Sequence, residues 1–246
     1  MKIITDTNIW YELGQNEELY NAVKDKTVTP TFVNIHELSK TKNILDKDEL
    51  VRSAIQMLFR FQKHAIFEPP FVHLAQLNQH FEYNVEDEMK ELLKFTSLFA
   101  QGHTVPEENK NDFLNKIKSF DESSEGLADF FNEETEKIRV NITDKKKHKE
   151  IDSSEITQGF VNFCVERATK ESCNLDGFDM NQAELLIKTM DFFFKTLETS
   201  KMRVQANDWY DFGILAYVGP NDKYWTKEKR WINLIKGAGC ENYLYE

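Results

Sequence analysis

The chain has 246 residues and a net charge of −11 with histidine neutral. That balance argues against a general nucleic-acid coat, whose surface must be basic to hold phosphates; it leaves room for a nuclease whose acids gather at a metal and for a protein with a basic partner. An apolar fraction of 40% can bury a real core, no stretch approaches the roughly 20 apolar residues of a membrane helix, and Cys164, Cys173 and Cys240 offer neither a disulfide frame nor a CxxC zinc motif, as expected of reduced thiols in a cytoplasmic protein.

Residues 1–6 read as a short buried strand that runs into the carboxylate of Asp6, and nothing there has the length of a signal peptide. Asn16 to Lys26 reads as a helix with Leu19, Tyr20 and Val23 on one face. Thr27 to Thr31 is a β-branched segment broken by Pro30. Phe32 to Thr41 looks helical, with Thr31 as its N-cap. Glu49 to Lys63 is an amphipathic helix with Leu50, Ala54, Met57, Leu58 and Phe61 as its stripe. His64 to Phe67 has the composition of a strand, stopped by Pro69-Pro70, and Phe71 to Phe81 resumes a helix.

The middle, residues 83–200, is helical and charged with no convincing strand. Residues 144–154 are a basic break in it, where Lys145 to Lys149 read as a solvated loop, and Asn181 to Thr199 is a strong helix with Phe193 inward. The end changes back: residues 207–218 form a helix, residues 219–222 a turn, Lys223 to Trp225 a strand, Lys227 to Lys236 a helix, and Asn242 to Tyr245 a closing strand. Strands alternating with helices at both ends imply a parallel sheet built from residues 1–82 and 201–246, with residues 83–200 inserted into it.

Acids stand at the ends of these elements. Asp6 and Glu228 follow strands, Glu37 lies in the helix of NIHELSK, and Asp208 and Asp211 are three apart and so share a helix face. In open parallel sheets, sites form outside the carboxyl ends of the strands. Gathered carboxylates repel one another unless a cation neutralises them or some hold protons. Oxygen donors without thiolates suit Mg²⁺ or Mn²⁺, and phosphodiester hydrolysis is the chemistry that uses such a centre: the metal lowers the pKa of the attacking water and neutralises charge on the phosphate.

The set IITDTNIW, NIHEL, NDWYDFGILAY and YWTKEKRW resembles the PIN-domain family of metal-dependent ribonucleases. The resemblance covers roughly residues 1–80 and 200–246. It implies a three-layer α/β/α fold with a central parallel sheet; the long helical insertion at residues 83–200 is a departure that far exceeds a minimal PIN toxin. It also implies acids at the carboxyl edge holding Mg²⁺ or Mn²⁺. Asp6 matches the first acid and Asn8 the adjoining polar residue; Glu37 matches the acid after the second strand; Asp208, Asp211 or both match the third; Glu228 takes the last position with Thr226 as its threonine. A Glu at 228 departs from the family's Asp and reaches one methylene further. The implied activity is an endoribonuclease on single-stranded RNA, of a toxin or defence-system type. The alternatives are a nuclease acting on DNA, or a PIN-like fold that has lost catalysis and serves as a protein-interaction module. An antitoxin or another protein partner fits this frame, as does a homodimer.

Each residue also has a plainer reading. Asp6 can cap the next helix. Glu37 can be a solvated helix acid. Asp208 can cap its helix and Asp211 favour the helix dipole. Glu228 can belong to a charged surface helix, and Asn8 and Thr226 can be turn residues. Lys229 and Arg230 lie where they can bind phosphate, with Trp225 and Trp231 nearby to stack bases or fill the core. His36 reads as packed or as touching substrate, and His73 and His80, seven apart, as structural.

Overall fold

The structure, a computed structural model, describes residues 1–79 and 87–246. In chain order the strands are β1 (Ile3–Thr5), β2 (Val28–Thr29) and β3 (Lys223–Trp225). Between β1 and β2 lie α1 (Thr7–Gln15) and α2 (Glu17–Val23). After β2 come α3 (Phe32–Ser39), α4 (Asn43–Asp46), α5 (Asp48–Arg60) and α6 (Pro70–Gln79). The middle holds α7 (Asp87–Ala100), α8 (Lys110–Arg139), α9 (Lys145–Glu150), α10 (Ser154–Ala168) and α11 (Glu184–Thr199). The end holds α12 (Asp208–Leu215) before β3 and α13 (Lys229–Gly237) after it.

The three strands are parallel, in the order β2-β1-β3, with Ile3 opposite Val28 and Ile4 opposite Tyr224. Parallel strands need helical crossovers that cover both faces, so the central strand carries apolar residues on both. Ile3 and Ile4 show why. Alternation sends Ile3, with Val28 and Trp225, into one core alongside Trp10, Leu13, Ile55 and Leu58 of α1 and α5. Ile4 and Tyr224 point into a second core with Phe193, Phe212 and Trp231 of α11, α12 and α13. There the rings of Phe193 and Phe212 meet edge to face at 4.9 Å, and those of Phe212 and Trp231 at 5.1 Å, the arrangement that aromatic quadrupoles favour.

The expected sheet differs at its edges. His64 to Phe67 contributes one parallel bridge, Ile66 to Thr31, and the expected closing strand at 242–245 is a 3₁₀ turn, Glu241–Tyr243, followed by one bridge from Leu244 to Tyr224. These edges are too short to make a ladder because a 3₁₀ turn (Gln62–His64 and Glu241–Tyr243) takes up the chain just before each. The α1 helix starts at once after Asp6, where the sequence reading saw no element. Lys145 to Lys149 is the body of α9, capped by Asp144, and not a loop. The expected helix 71–81 is described to Gln79, and the expected boundary between residues 82 and 83 lies outside the described residues.

The regular elements of the middle segment are all helices among the described residues. The segment is also wired into both cores. Phe99 of α7 packs with Ile3, and Val161, Val165 and Phe193 of α10 and α11 pack with Ile4.

Candidate active site

The carboxyl ends of β1 and β3 lie side by side because the strands are parallel neighbours, and the backbone N–H of Asp6 donates to the Trp225 carbonyl at 2.9 Å. Asp6 is the N-cap of α1: one carboxylate oxygen accepts the backbone N–H of Asn8 at 3.1 Å. Its other oxygen accepts the Thr226 hydroxyl at 2.9 Å. The Thr226 oxygen in turn accepts the backbone N–H of Glu228 at 3.1 Å, and the Asn8 side-chain amide donates to Glu228 at 3.2 Å. Asp6, Thr226, Glu228 and Asn8 thus form one closed set of hydrogen bonds across two strand ends.

Glu37 arrives from the other side, on α3. That helix opens with a reciprocal cap between Thr31 and Asn34. Asn34 is fully buried and donates from its amide to the Thr5 carbonyl and to the Thr7 hydroxyl, each at 3.0 Å. Thr7 donates in turn to Glu37. The side chain that aims Glu37 therefore runs Asn34, Thr7, Glu37. The sequence reading missed Asn34 and Thr7; the signal was a polar residue between Val33 and Ile35 on a helix that must pack.

Asp208 and Asp211 part company. The two oxygens of Asp208 accept two nitrogens of Arg230, each at 2.8 Å, and one also accepts the Gln205 backbone N–H at 2.8 Å. These contacts offset the burial that raises the Asp208 pKa without overcoming it. Asp211, one helical turn on, faces a cleft of about 360 Å³ whose lining includes Asp6, Glu37 and Glu228. Arg230 and Lys229 are not among the described residues that line that cleft, whereas Lys40 and Lys42 are. Trp225 and Trp231 are both buried, so neither indole is open to a base.

The electrostatics match the crowding. Burial pushes the Glu37 carboxyl up to about 7; the Thr7 hydrogen bond opposes this, and the charges of Asp6 and Glu228 add to it. Asp211 is raised well above the carboxylate range by burial, then by Asp6, Glu37, Glu228 and Asp208. Burial also raises Asp6, against the hydrogen bonds from Asn8 and Thr226. Glu228 is raised by its partial burial and by Asp6, with Arg230 opposing.

His36 is packed: its ring lies 5.2 Å from that of Phe120 and 5.8 Å from that of Tyr210, and burial lowers its pKa to about 3. His73 packs on Tyr217 at 5.1 Å and is lowered by burial to about 4. His80 lies outside the described residues.

Among the described residues no group of three or more His, Cys, Asp and Glu side chains stands ready-made to hold a metal ion. Hydrogen bonds turn Glu37 toward Thr7 and Glu228 toward Asn8. Among the described residues no helix is long and apolar enough to cross a membrane. No protein-family model, curated protein or solved structure matches the chain.

Proposed function

We propose that the chain is a PIN-like nuclease dependent on Mg²⁺ or Mn²⁺, an endoribonuclease acting on single-stranded RNA. The observation that carries this reading is that Asp6, Glu37, Asp211 and Glu228, drawn from four separated segments, line one cleft at the carboxyl edge of a parallel sheet. A structural role explains Asp208, which has its arginine. It does not explain four acids whose burial opposes their own ionisation, with repulsion from neighbouring acids added at Glu37, Asp211 and Glu228. A hard divalent cation relieves that cost, and an all-oxygen donor set suits Mg²⁺ or Mn²⁺.

Asp6, Glu37, Asp211 and Glu228 would hold the cation. When bound, it acidifies water and neutralises phosphate charge. The chain's own part is positioning. The Asn8 N–H and Thr226 hydroxyl hold both Asp6 oxygens, the Asn8 amide orients Glu228, and Thr7 orients Glu37. Asp208 fastens Arg230 and with it the start of α13 to α12. A toxin or defence-system nuclease fits this chemistry.

The test is cleavage of labelled single-stranded RNA and DNA with Mn²⁺, with Mg²⁺ and with EDTA. Cutting that needs metal and disappears in Asp6→Asn and Asp211→Asn is the expected result, and preference for DNA would change the substrate. The second reading, an inactive PIN-like interaction module, is favoured by the acids forming no ready metal cage among the described residues. It prevails if neither polymer is cut and calorimetry finds no Mn²⁺ bound.

A further inference from the structure

The middle of the chain meets the cleft of acids along one wall, through Ile117, Phe120 and Asp121 of α8. Further along α8 a groove of about 390 Å³ opens that shares no lining residue with that cleft. Its floor is α11, through Phe194 and Lys195; one wall is α8, through Phe131 and Ile138, and the other is α10, through Ser153 and Phe160. Each wall pair is seven residues apart, two helical turns, so the groove runs for about 10 Å. The rings of Phe131, Phe160 and Phe194 pack on one another at 5.9–6.0 Å and form its apolar base. On its rim Ile138, Ile151 and Ile156 are 43%, 55% and 77% exposed.

We propose that this groove docks a short amphipathic helix of a partner protein, apolar along one face and acidic beside it. The apolar face sits on the three phenylalanines between the rim isoleucines, and the acids meet the lysines of α9. The proposal stands apart from the nuclease reading, because none of its residues lines the cleft of acids.

Shape, composition and charge argue for it. A groove two turns long between two helices fits the anchors that an amphipathic helix offers at i, i+3, i+4 and i+7. A single exposed isoleucine needs no explanation, but three around one apolar base mark a surface that gains by being covered. The acids that line the groove already have cations: Asp191 holds Lys195 at 2.7 Å, Glu134 holds Lys137 at 2.6 Å, and Glu198 lies 2.6 Å from the His148 ring. On a chain of net charge −11, residues 137–149 carry six basic side chains and one acid. Within them α9 presents Lys145, Lys146 and Lys149 exposed, and Lys145 stands one turn before His148, which lines the groove. That charge calls for an acidic occupant. A second copy docked through the same patch would set lysines against lysines. A nucleic acid would find aliphatic side chains on the rim, where base stacking needs open aromatic faces.

The experiment selects random sixteen-residue peptides displayed on phage for binding to the full chain, with counter-selection on the double variant Ile151→Ser, Ile156→Ser. Both isoleucines are exposed, so the variant keeps its fold, and thermal unfolding checks that it does. The expected winners carry leucine, isoleucine or phenylalanine at helical spacing with Asp and Glu between them. The best one is then synthesised with a fluorophore, beside a copy with Lys in place of each acid. The acidic peptide is expected to bind at least about tenfold tighter than its basic copy. The double isoleucine variant should lose about tenfold in affinity for it. Changing Lys145, Lys146 and Lys149 together to Gln should cost about fivefold and abolish the weakening of binding by salt. Leu114→Ser, at an exposed apolar position elsewhere on α8, is the control and changes nothing. An empty selection, winners that are basic, or binding unmoved by the isoleucine variant would overturn the docking site. So would a groove that binds phosphatidylglycerol vesicles or single-stranded RNA through the same lysines and no peptide, or one that only pairs two copies of the chain in sedimentation.

Discussion

Arg230 closes two nitrogens on the two oxygens of Asp208, each at 2.8 Å, and Asp208 is only 1% exposed. This pairing separates two acids that lie one helical turn apart and look equivalent in sequence. Breaking a buried pair from one side leaves an uncompensated charge and typically costs about 3 kcal/mol or more. Arg230 keeps a quarter of its side chain in contact with water, so Asp208→Asn should lower the urea unfolding free energy by less than that, about 1.5 kcal/mol. Asp211→Asn should leave it unchanged or raise it in metal-free buffer, because burial and four other acids oppose ionisation there. Equal losses in the two variants would mean that Asp211 has a structural partner as strong as Arg230.

Asn34 is the residue on which the aim of Glu37 depends. Truncating it to alanine takes a partner from the Thr5 carbonyl and the Thr31 N–H inside the fold, and leaves the Thr7 hydroxyl held by Glu37 alone. Buried groups left without partners cost about 1–3 kcal/mol each, and partial relaxation makes roughly 3 kcal/mol the expected total. Chemical denaturation measures this. Cleavage by the variant, assayed where it is still folded, should fall because Thr7 is no longer fixed. A variant as stable as wild type would show that water or a shifted Thr31 replaces all three bonds.

What could be read from the sequence was what local order determines. Ile3-Ile4 running into Asp6 marks a central strand end, and β3 falls where Lys223 to Trp225 was expected. Asp6 turned out to be both a helix cap and a cleft acid, two readings that had stood as rivals. The α1 helix was hidden because Thr7, Ile9 and Gly14 lower its intrinsic propensity, and burial of Trp10 and Leu13 against α5 overrides that. Arg230 looked like a phosphate ligand because its partner is 22 residues away and becomes its neighbour only after β3 folds back. Trp225 and Trp231 could be read as stacking platforms or as core, and strand alternation and the inner face of α13 decide for core, one on each side of the sheet. The α8 wall had no local signal, since no spacing links Phe120 to Glu37.

Gly14 offers a test in which two known effects oppose each other. In an exposed helix, Gly→Ala gains about 1 kcal/mol of helix propensity. Here an added Cβ would lie 2.8 Å from the backbone carbon and side-chain oxygen of Ser53 on α5, closer than real Cβ contacts come. Backbone cannot swing aside as a flexible side chain can, and overpacking costs about 1–3 kcal/mol. Gly14→Ala should thus lower the melting temperature. A rise would mean that α1 slides on α5 at little cost.

The raised carboxyl of Glu37 gives the site a pH signature. Its ordinary value is 4.5 and its value in the fold is about 7. Between these, the folded chain keeps a proton that the unfolded chain has lost, so stability falls as pH rises, by at most about 3 kcal/mol across the window. Glu37→Gln removes this loss. The variant's stability minus that of wild type should climb from its low-pH level between pH 4.5 and 7 and stay level above. His36 and His73, held near 3 and 4, weaken the fold as pH drops below their ordinary 6.5. They do so in both proteins and cancel from the difference. At pH 8, Mn²⁺ should raise the melting temperature of wild type more than that of Glu37→Gln, because the cation relieves a repulsion that the variant no longer has. A pH-independent difference, together with equal Mn²⁺ shifts, would mean that Glu37 ionises freely in the fold and stands apart from the other three acids.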